Sequence, residues 1–262
     1  MIKISKKMKN TITITIINQK GGVGKSTTAV NLAAALGECG KRVLAVDLDP
    51  QGNTTSGFGV EKVAGMKSVY DGLMSDVPAE ELILSIKEKN VDVMPATIDL
   101  AGAEPELAVV ISRETRLDDL LKQVKGDYDY IIVDSPPSLG LLTINSLAAA
   151  DQLIIPIQCE YYALEGLSKL LDTIKLVKLR LNPGLEIQGA LLTMYDARTT
   201  LARQVIEEVE NFFAEKVYKT IVPRSVKLAE APSFGQSILV FGSNSKGAKA
   251  YRELAKEVIK RG

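Results

Sequence analysis

Lys20-Gly21-Gly22-Val23-Gly24-Lys25-Ser26-Thr27 follows closely on Thr11-Ile12-Thr13-Ile14-Thr15-Ile16-Ile17, where threonine and isoleucine alternate. That alternation has a period of two and is rich in β-branched residues, so it predicts a strand. Beyond the glycines, Thr27 to Leu36 has helix composition, with Val30, Ala33, Ala34 and Leu36 able to face a sheet. Strand, glycine turn and helix, in that order, are the context a phosphate-binding loop requires. The pattern G-x-x-x-x-G-K-[ST] is met except at its first position, where Gln19 replaces glycine. Two lysines flank the turn, and a single loop has no evident need for Lys20.

Each residue type in the octet has a chemical reason. Gly21, Gly22 and Gly24 let successive backbone N–H groups, Val23 among them, approach phosphate oxygens. The helix that opens near Thr27 adds the partial positive charge of its N-terminus. Lys25 would reach the β- and γ-phosphates, and the Ser26 hydroxyl would ligate Mg²⁺.

The rest of the chain predicts a mostly parallel, twisted α/β sheet with helices on both faces. Apolar strands are expected at 41–49, 91–94, 130–134, 152–157 and 186–194. Helices are expected at 68–74, 100–110, 113–124, 139–149, 165–180, 201–213 and 244–260. No linker composition interrupts residues 11–262, which are expected to form one domain. Residues 1–10 are basic, lack the apolar stretch of a secretory signal, and are expected to be a disordered tail, with Met8 an alternative start.

Composition excludes several chemistries. There is no histidine, so neither His-based acid–base catalysis nor His-ligated zinc is available. Cys39 and Cys159 stand alone and read as reduced thiols of a cytoplasmic protein. No apolar run is long enough to span a membrane. The 32 basic and 32 acidic residues cancel, which argues against bulk attraction to nucleic acid while leaving a local basic patch open.

Three carboxylates follow predicted strands. Asp134, after Tyr130-Ile131-Ile132-Val133, is placed to hold Mg²⁺ directly or through water. Asp49 is the candidate to orient the attacking water, because hydrolysis needs an acceptor near the γ-phosphate. Asp47 is the candidate to support the metal shell from behind. Spacing alone leaves the order of Asp47 and Asp49 open.

The motifs K-G-G-V-G-K-S-T, D-L-D-P-Q-G-N, I-I-V-D-S-P-P-S, L-L-T-M-Y-D-A-R and P-R-S-V-K-L-A-E-A-P-S occur in that order from about Thr11 to the C-terminus. Together they resemble the ParA/Soj partitioning ATPases, relatives of MinD with a deviant phosphate loop. The resemblance implies ATP and Mg²⁺ as cofactors, an ATP-bound sandwich homodimer, slow hydrolysis, binding to duplex DNA without sequence preference, and a ParB-like partner that stimulates hydrolysis on the nucleoid. It implies that Lys20 reaches the phosphates of the other subunit, that Lys25 and Ser26 act in cis, and that Asp49 is the hydrolytic carboxylate. Pro223 and Ser225 would border the adenine; many relatives have Asn where this chain has Ser225. DNA contacts are implied for Arg198, Arg224 and Lys227, and more weakly for Lys246 and Lys249. No membrane partner is implied.

Other readings make different demands. A MinD-like membrane ATPase needs an amphipathic tail beyond the last helix, and the chain ends at Lys260-Arg261-Gly262. A nitrogenase-type iron protein needs cluster cysteines in a spacing that Cys39 and Cys159 lack. A ParA-like ATPase that positions another cargo would carry the same motifs. An N-terminal helix-turn-helix is not expected, with only about 10 residues before the first strand.

Overall fold

A computed structural model describes residues 11–160 and 166–262. The tail expected at 1–10 and the expected helix start at Glu165 lie outside the described residues. Seven strands form one sheet: β1 (Ile12–Ile16), β2 (Val43–Asp47), β3 (Leu84–Ser85), β4 (Val91–Met94), β5 (Tyr130–Asp134), β6 (Gln152–Gln158) and β7 (Glu186–Thr193). Their order is β3-β4-β2-β5-β1-β6-β7. Every pairing is parallel except β3 with β4. The parallel sheet expected from the sequence is present, and β3, an antiparallel edge of two residues, was too short to leave a period.

β1 is an interior strand, between β5 and β6. Ile14 and Ile16 point to one face, toward the helix α1 (Lys25–Glu38), and are fully buried. Thr13 and Thr15 point to the other face and are also fully buried. The Thr15 hydroxyl donates to the Ser146 carbonyl oxygen at 2.9 Å, so the polar half of the alternation meets a helix rather than water. In β2 and β5 the two faces separate cleanly: Val43, Ala45 and Ile132 join one core, whereas Leu44, Val46, Ile131 and Val133 join the other.

The terminal helix Lys246–Arg261 packs on α1. Ser245 caps it by accepting from the Ala248 N–H. Its apolar face, Ala248, Tyr251, Leu254, Ala255 and Val258, is buried, and each large side chain there contributes roughly 1.5–3 kcal/mol. The Tyr251 hydroxyl lies 3.3 Å from that of Thr28 on α1.

Two expected helices differ. The segment 100–110 is a 3₁₀ turn at Ile98–Gly102 followed by a helix at Ala103–Leu107. Pro105 has no N–H to close an α-turn onto residue 101, which keeps the preceding turn out of the α-helix. The segment 113–124 is helical only from Arg116 to Lys122. The expected helix at 165–180 is described as Leu167–Arg180.

Candidate active site

After β1 the chain passes through the glycine turn and enters α1. Gly22 and Gly24 have φ of 74° and 91°, a region that side-chain-bearing residues avoid. Gly24 is the N-cap of α1, so the free N–H groups of the first helical turn adjoin the loop amides. Two strand ends hold the loop. Thr193, ending β7, donates its hydroxyl to the Val23 carbonyl oxygen at 2.9 Å. Asn18 donates to the Pro156 carbonyl oxygen at 2.7 Å and accepts from the Lys20 N–H at 3.0 Å.

Lys25 is buried, and its ammonium donates to the Lys20 carbonyl oxygen at 3.3 Å. Burial lowers its pKa below the ordinary lysine value, while the charges of Asp134 and Asp49 draw it back up.

Asp134 ends β5 and is fully buried. Its Oδ2 accepts from the Thr54 hydroxyl at 2.8 Å, whereas its Oδ1 has no hydrogen-bond partner. Burial pushes this carboxyl up to about 7 and the nearby Asp47 adds to the rise, against the pull of the Ser26 and Thr54 hydroxyls. A buried, unpartnered carboxylate oxygen near the Ser26 hydroxyl fits a hydrated divalent cation. Among the described residues, no cluster of three or more His, Cys, Asp or Glu could cage a metal. Mg²⁺ takes one or two protein ligands and fills its shell with phosphate oxygens and water.

Asp47 ends β2 and is also fully buried. Its Oδ1 accepts from the Asp49 N–H at 3.2 Å; its Oδ2 accepts from the N–H and the hydroxyl of Thr55 at 2.7 and 2.6 Å. Burial pushes its carboxyl up to about 6 despite those hydrogen bonds. Both oxygens are spent on the loop that carries Asp49.

A cavity of about 410 Å³ is lined by Gly21, Gly22, Lys25, Ser26, Thr27 and Asp49, among others. A second, of about 270 Å³, shares Gly24, Thr27 and Met194 with it and is lined by Pro223 and Ser225. The phosphate loop, Asp49 and the 223–225 segment therefore converge, although nearly 200 positions separate the first from the last. The short helix α2 (Asn53–Gly57) was not expected from sequence. Asn53, Ser56 and Gly57 line the first cavity, and Thr54 and Thr55 turn inward to Asp134 and Asp47. The small polar run just after D-L-D-P-Q-G-N was the available signal.

A family model described as an AAA domain matches residues 11–187, more than half of the chain. The sporulation initiation inhibitor protein Soj of Bacillus subtilis is 59% identical, with 95% of this chain and 98% of that protein covered. The chromosome partitioning protein ParA of Myxococcus xanthus is 53% identical, with 95% and 88% covered. The chain belongs to the ParA/Soj family. Its fold matches cobyrinic acid a,c-diamide synthase from Mycobacterium smegmatis, solved with an ATP analogue and magnesium, at 40% identity and a TM-score of 0.85, with 95% of each chain covered.

Within this ParA/Soj chain the expected basic residues divide. Arg198, Arg224 and Lys246 line one groove with Tyr195. Lys227 and Lys249 are exposed but lie outside it. Arg198 pairs with Asp196 at 2.6 Å and Arg224 with Glu160 at 3.0 Å. Both arginines are exposed, and surface pairs of this kind contribute little to stability, so a phosphate can compete for either arginine. The half-buried Lys20 is different: its ammonium makes no hydrogen bond or ion pair among the described residues. No helix among the described residues is long and apolar enough to cross a membrane.

Proposed function

We propose that this ParA/Soj chain is a DNA-partitioning ATPase. Residues 11–262 act as one ATPase unit that closes as an ATP-bound homodimer. The dimer binds duplex DNA without sequence preference and dissociates when a ParB-like partner stimulates hydrolysis. One observation carries the reading: of the two lysines flanking the loop, Lys25 is buried with its ammonium on the Lys20 carbonyl oxygen and close to the charges of Asp134 and Asp49, while the half-buried Lys20 ammonium makes no hydrogen bond or ion pair among the described residues.

The loop amides from Gly21 to Lys25 and the α1 N-terminus hold the phosphates of ATP. Lys25 moves its hydrogen bond from the Lys20 carbonyl oxygen to the β- and γ-phosphates. Thr27, Pro223 and Ser225 border the nucleoside. Ser26 and Asp134 would hold Mg²⁺, which supplies charge neutralisation across the phosphates when bound. Asp49 orients the water that attacks the γ-phosphorus, and the bond to the bridging oxygen breaks to leave ADP and phosphate. Lys20 stabilises the charge of the transferring group on the neighbouring subunit, as an arginine finger does.

Closure brings two grooves lined by Arg198, Arg224 and Lys246 into one basic surface, with Lys227 and Lys249 at its margin. A neutral chain can then bind DNA through phosphate contacts, on the nucleoid in a cell.

The test is binding to long duplexes of unrelated sequence. Binding should require ATP and disappear at about 0.3–0.5 M salt. Binding that ignores ATP, or that needs one sequence, would refute the proposal.

A further inference from the structure

We propose that Asp47 and Thr55 are positioning residues for Asp49: they clamp the loop that carries it. This inference rests on the assignment of Asp49 as the carboxylate that orients water.

The loop from Asp47 to Thr55 is closed on itself. Asp47 Oδ1 holds the Asp49 N–H, and Asp47 Oδ2 holds both the N–H and the hydroxyl of Thr55. The Thr55 hydroxyl also accepts from the Ala96 N–H at 3.0 Å, which ties the clamp to the chain just past β4. Inside the ring, the Gly52 N–H donates to the Asp49 carbonyl oxygen at 2.8 Å, and the Gln51 N–H donates to Asp49 Oδ1 at 3.0 Å. From outside, the Lys62 ammonium donates to the carbonyl oxygens of Gln51 and Gly52 at 2.8 and 3.2 Å. Asp49 Oδ2 is left without a hydrogen bond among the described residues, on a residue that lines the nucleotide cavity.

A turn alone does not require this arrangement. Asp47 is fully buried and forms no ion pair among the described residues, an unfavourable place for a carboxylate. Its hydrogen bonds fix where β2 ends and where α2 begins, and Asp49 lies between the two. Thr55 must both donate and accept. Serine can do the same, whereas valine, with nearly the same shape, can do neither.

The test uses Thr55→Val, Thr55→Ser and Asp49→Ala in the full chain, with single-turnover ATP hydrolysis and equilibrium nucleotide binding measured separately. Thr55→Val should slow hydrolysis about 10–100-fold while the ATP dissociation constant moves less than about threefold. Thr55→Ser should recover hydrolysis to within about threefold of the unsubstituted protein. Unchanged hydrolysis in Thr55→Val, or an equal loss of binding and hydrolysis, would overturn the clamp. Asp49→Ala separates the two ideas: if it hydrolyses ATP normally, the role of Asp49 fails; if it is slow and Thr55→Val is not, only the clamp fails. A second measurement needs neither nucleotide, metal nor variant. In the unsubstituted protein the Asp49 and Thr55 amides should exchange hydrogen at least ~100-fold more slowly than exposed loop amides, and equal exchange would refute the clamp.

Discussion

The Lys25 ammonium donates to the carbonyl oxygen of Lys20, 3.3 Å away, across the glycine turn that both residues flank. The bond keeps a buried cation satisfied beside two carboxylates, Asp134 and Asp49. It also aims Lys25 along the loop amides. An incoming phosphate offers a stronger, charge-assisted acceptor than a carbonyl, so the exchange is favourable.

The two lysines should therefore fail in different ways. Lys25→Ala removes the cis phosphate contact and should weaken ATP binding at least ~100-fold by equilibrium titration. Lys20→Ala should leave ATP affinity within about fivefold, yet yield monomers with ATP by light scattering. Normal dimers of Lys20→Ala would exclude a trans role for this lysine.

Asp49→Ala should bind ATP and dimerise but hydrolyse it ~10²–10⁴-fold more slowly, within the range that one general acid–base group contributes. On DNA, the ATP-bound form should then persist after a ParB-like partner is added. Prompt release of this variant would show that another group orients the water.

Arg198 and Arg224 line one groove with Lys246, and both arginines are exposed beside their half-buried acidic partners, Asp196 and Glu160. Replacing both arginines with alanine should lower affinity for all duplex sequences alike. The slope of log K against log salt should become shallower by about 0.9 for each phosphate that the protein no longer neutralises. An unchanged slope would remove both arginines from the DNA surface.

Burial pushes Asp47 up to about 6 and Asp134 up to about 7. An unfolded carboxylate titrates near 3.8, so between these values the folded protein holds more protons than the unfolded chain. The stability this brings is full below the unfolded value and is lost as pH rises through the folded ones. Nucleotide-free protein should melt at a lower temperature at pH 8 than at pH 5, and Asp134→Asn should flatten most of that decline. Thermal melts across this range decide it, and a melting temperature that rises with pH would contradict it.

Much of the site was legible because its parts are short and local. The strand before the loop, the φ > 0 glycines and the helix after them depend on adjacent residues, and all stand where the sequence puts them. The strand end at Asp134 was equally legible, whereas the strand expected at 41–49 ends two residues earlier, at Asp47. Elements too short to repeat their period were not legible. The edge strand Leu84–Ser85 has two residues and the helix Asn53–Gly57 five, each too short for its period to repeat enough times to be read. Nor did the alternation in β1 reveal that its threonine face meets a helix, because period shows which residues share a side and not what covers it.

By itself the sequence determined the class of fold, the phosphate loop and the order of the acidic strand ends, all set by local pattern and backbone stereochemistry. Tertiary structure alone decided which distant residues meet. Folding joined Thr54 to Asp134 across 80 positions, gathered Arg198, Arg224 and Lys246 into one groove, and closed Pro223 and Ser225 over the loop. It also separated the two aspartates that spacing could not rank, turning Asp47 into the loop and leaving Asp49 on the cavity. Such contacts follow from how helices pack on a twisted sheet, and no run of neighbouring residues encodes them.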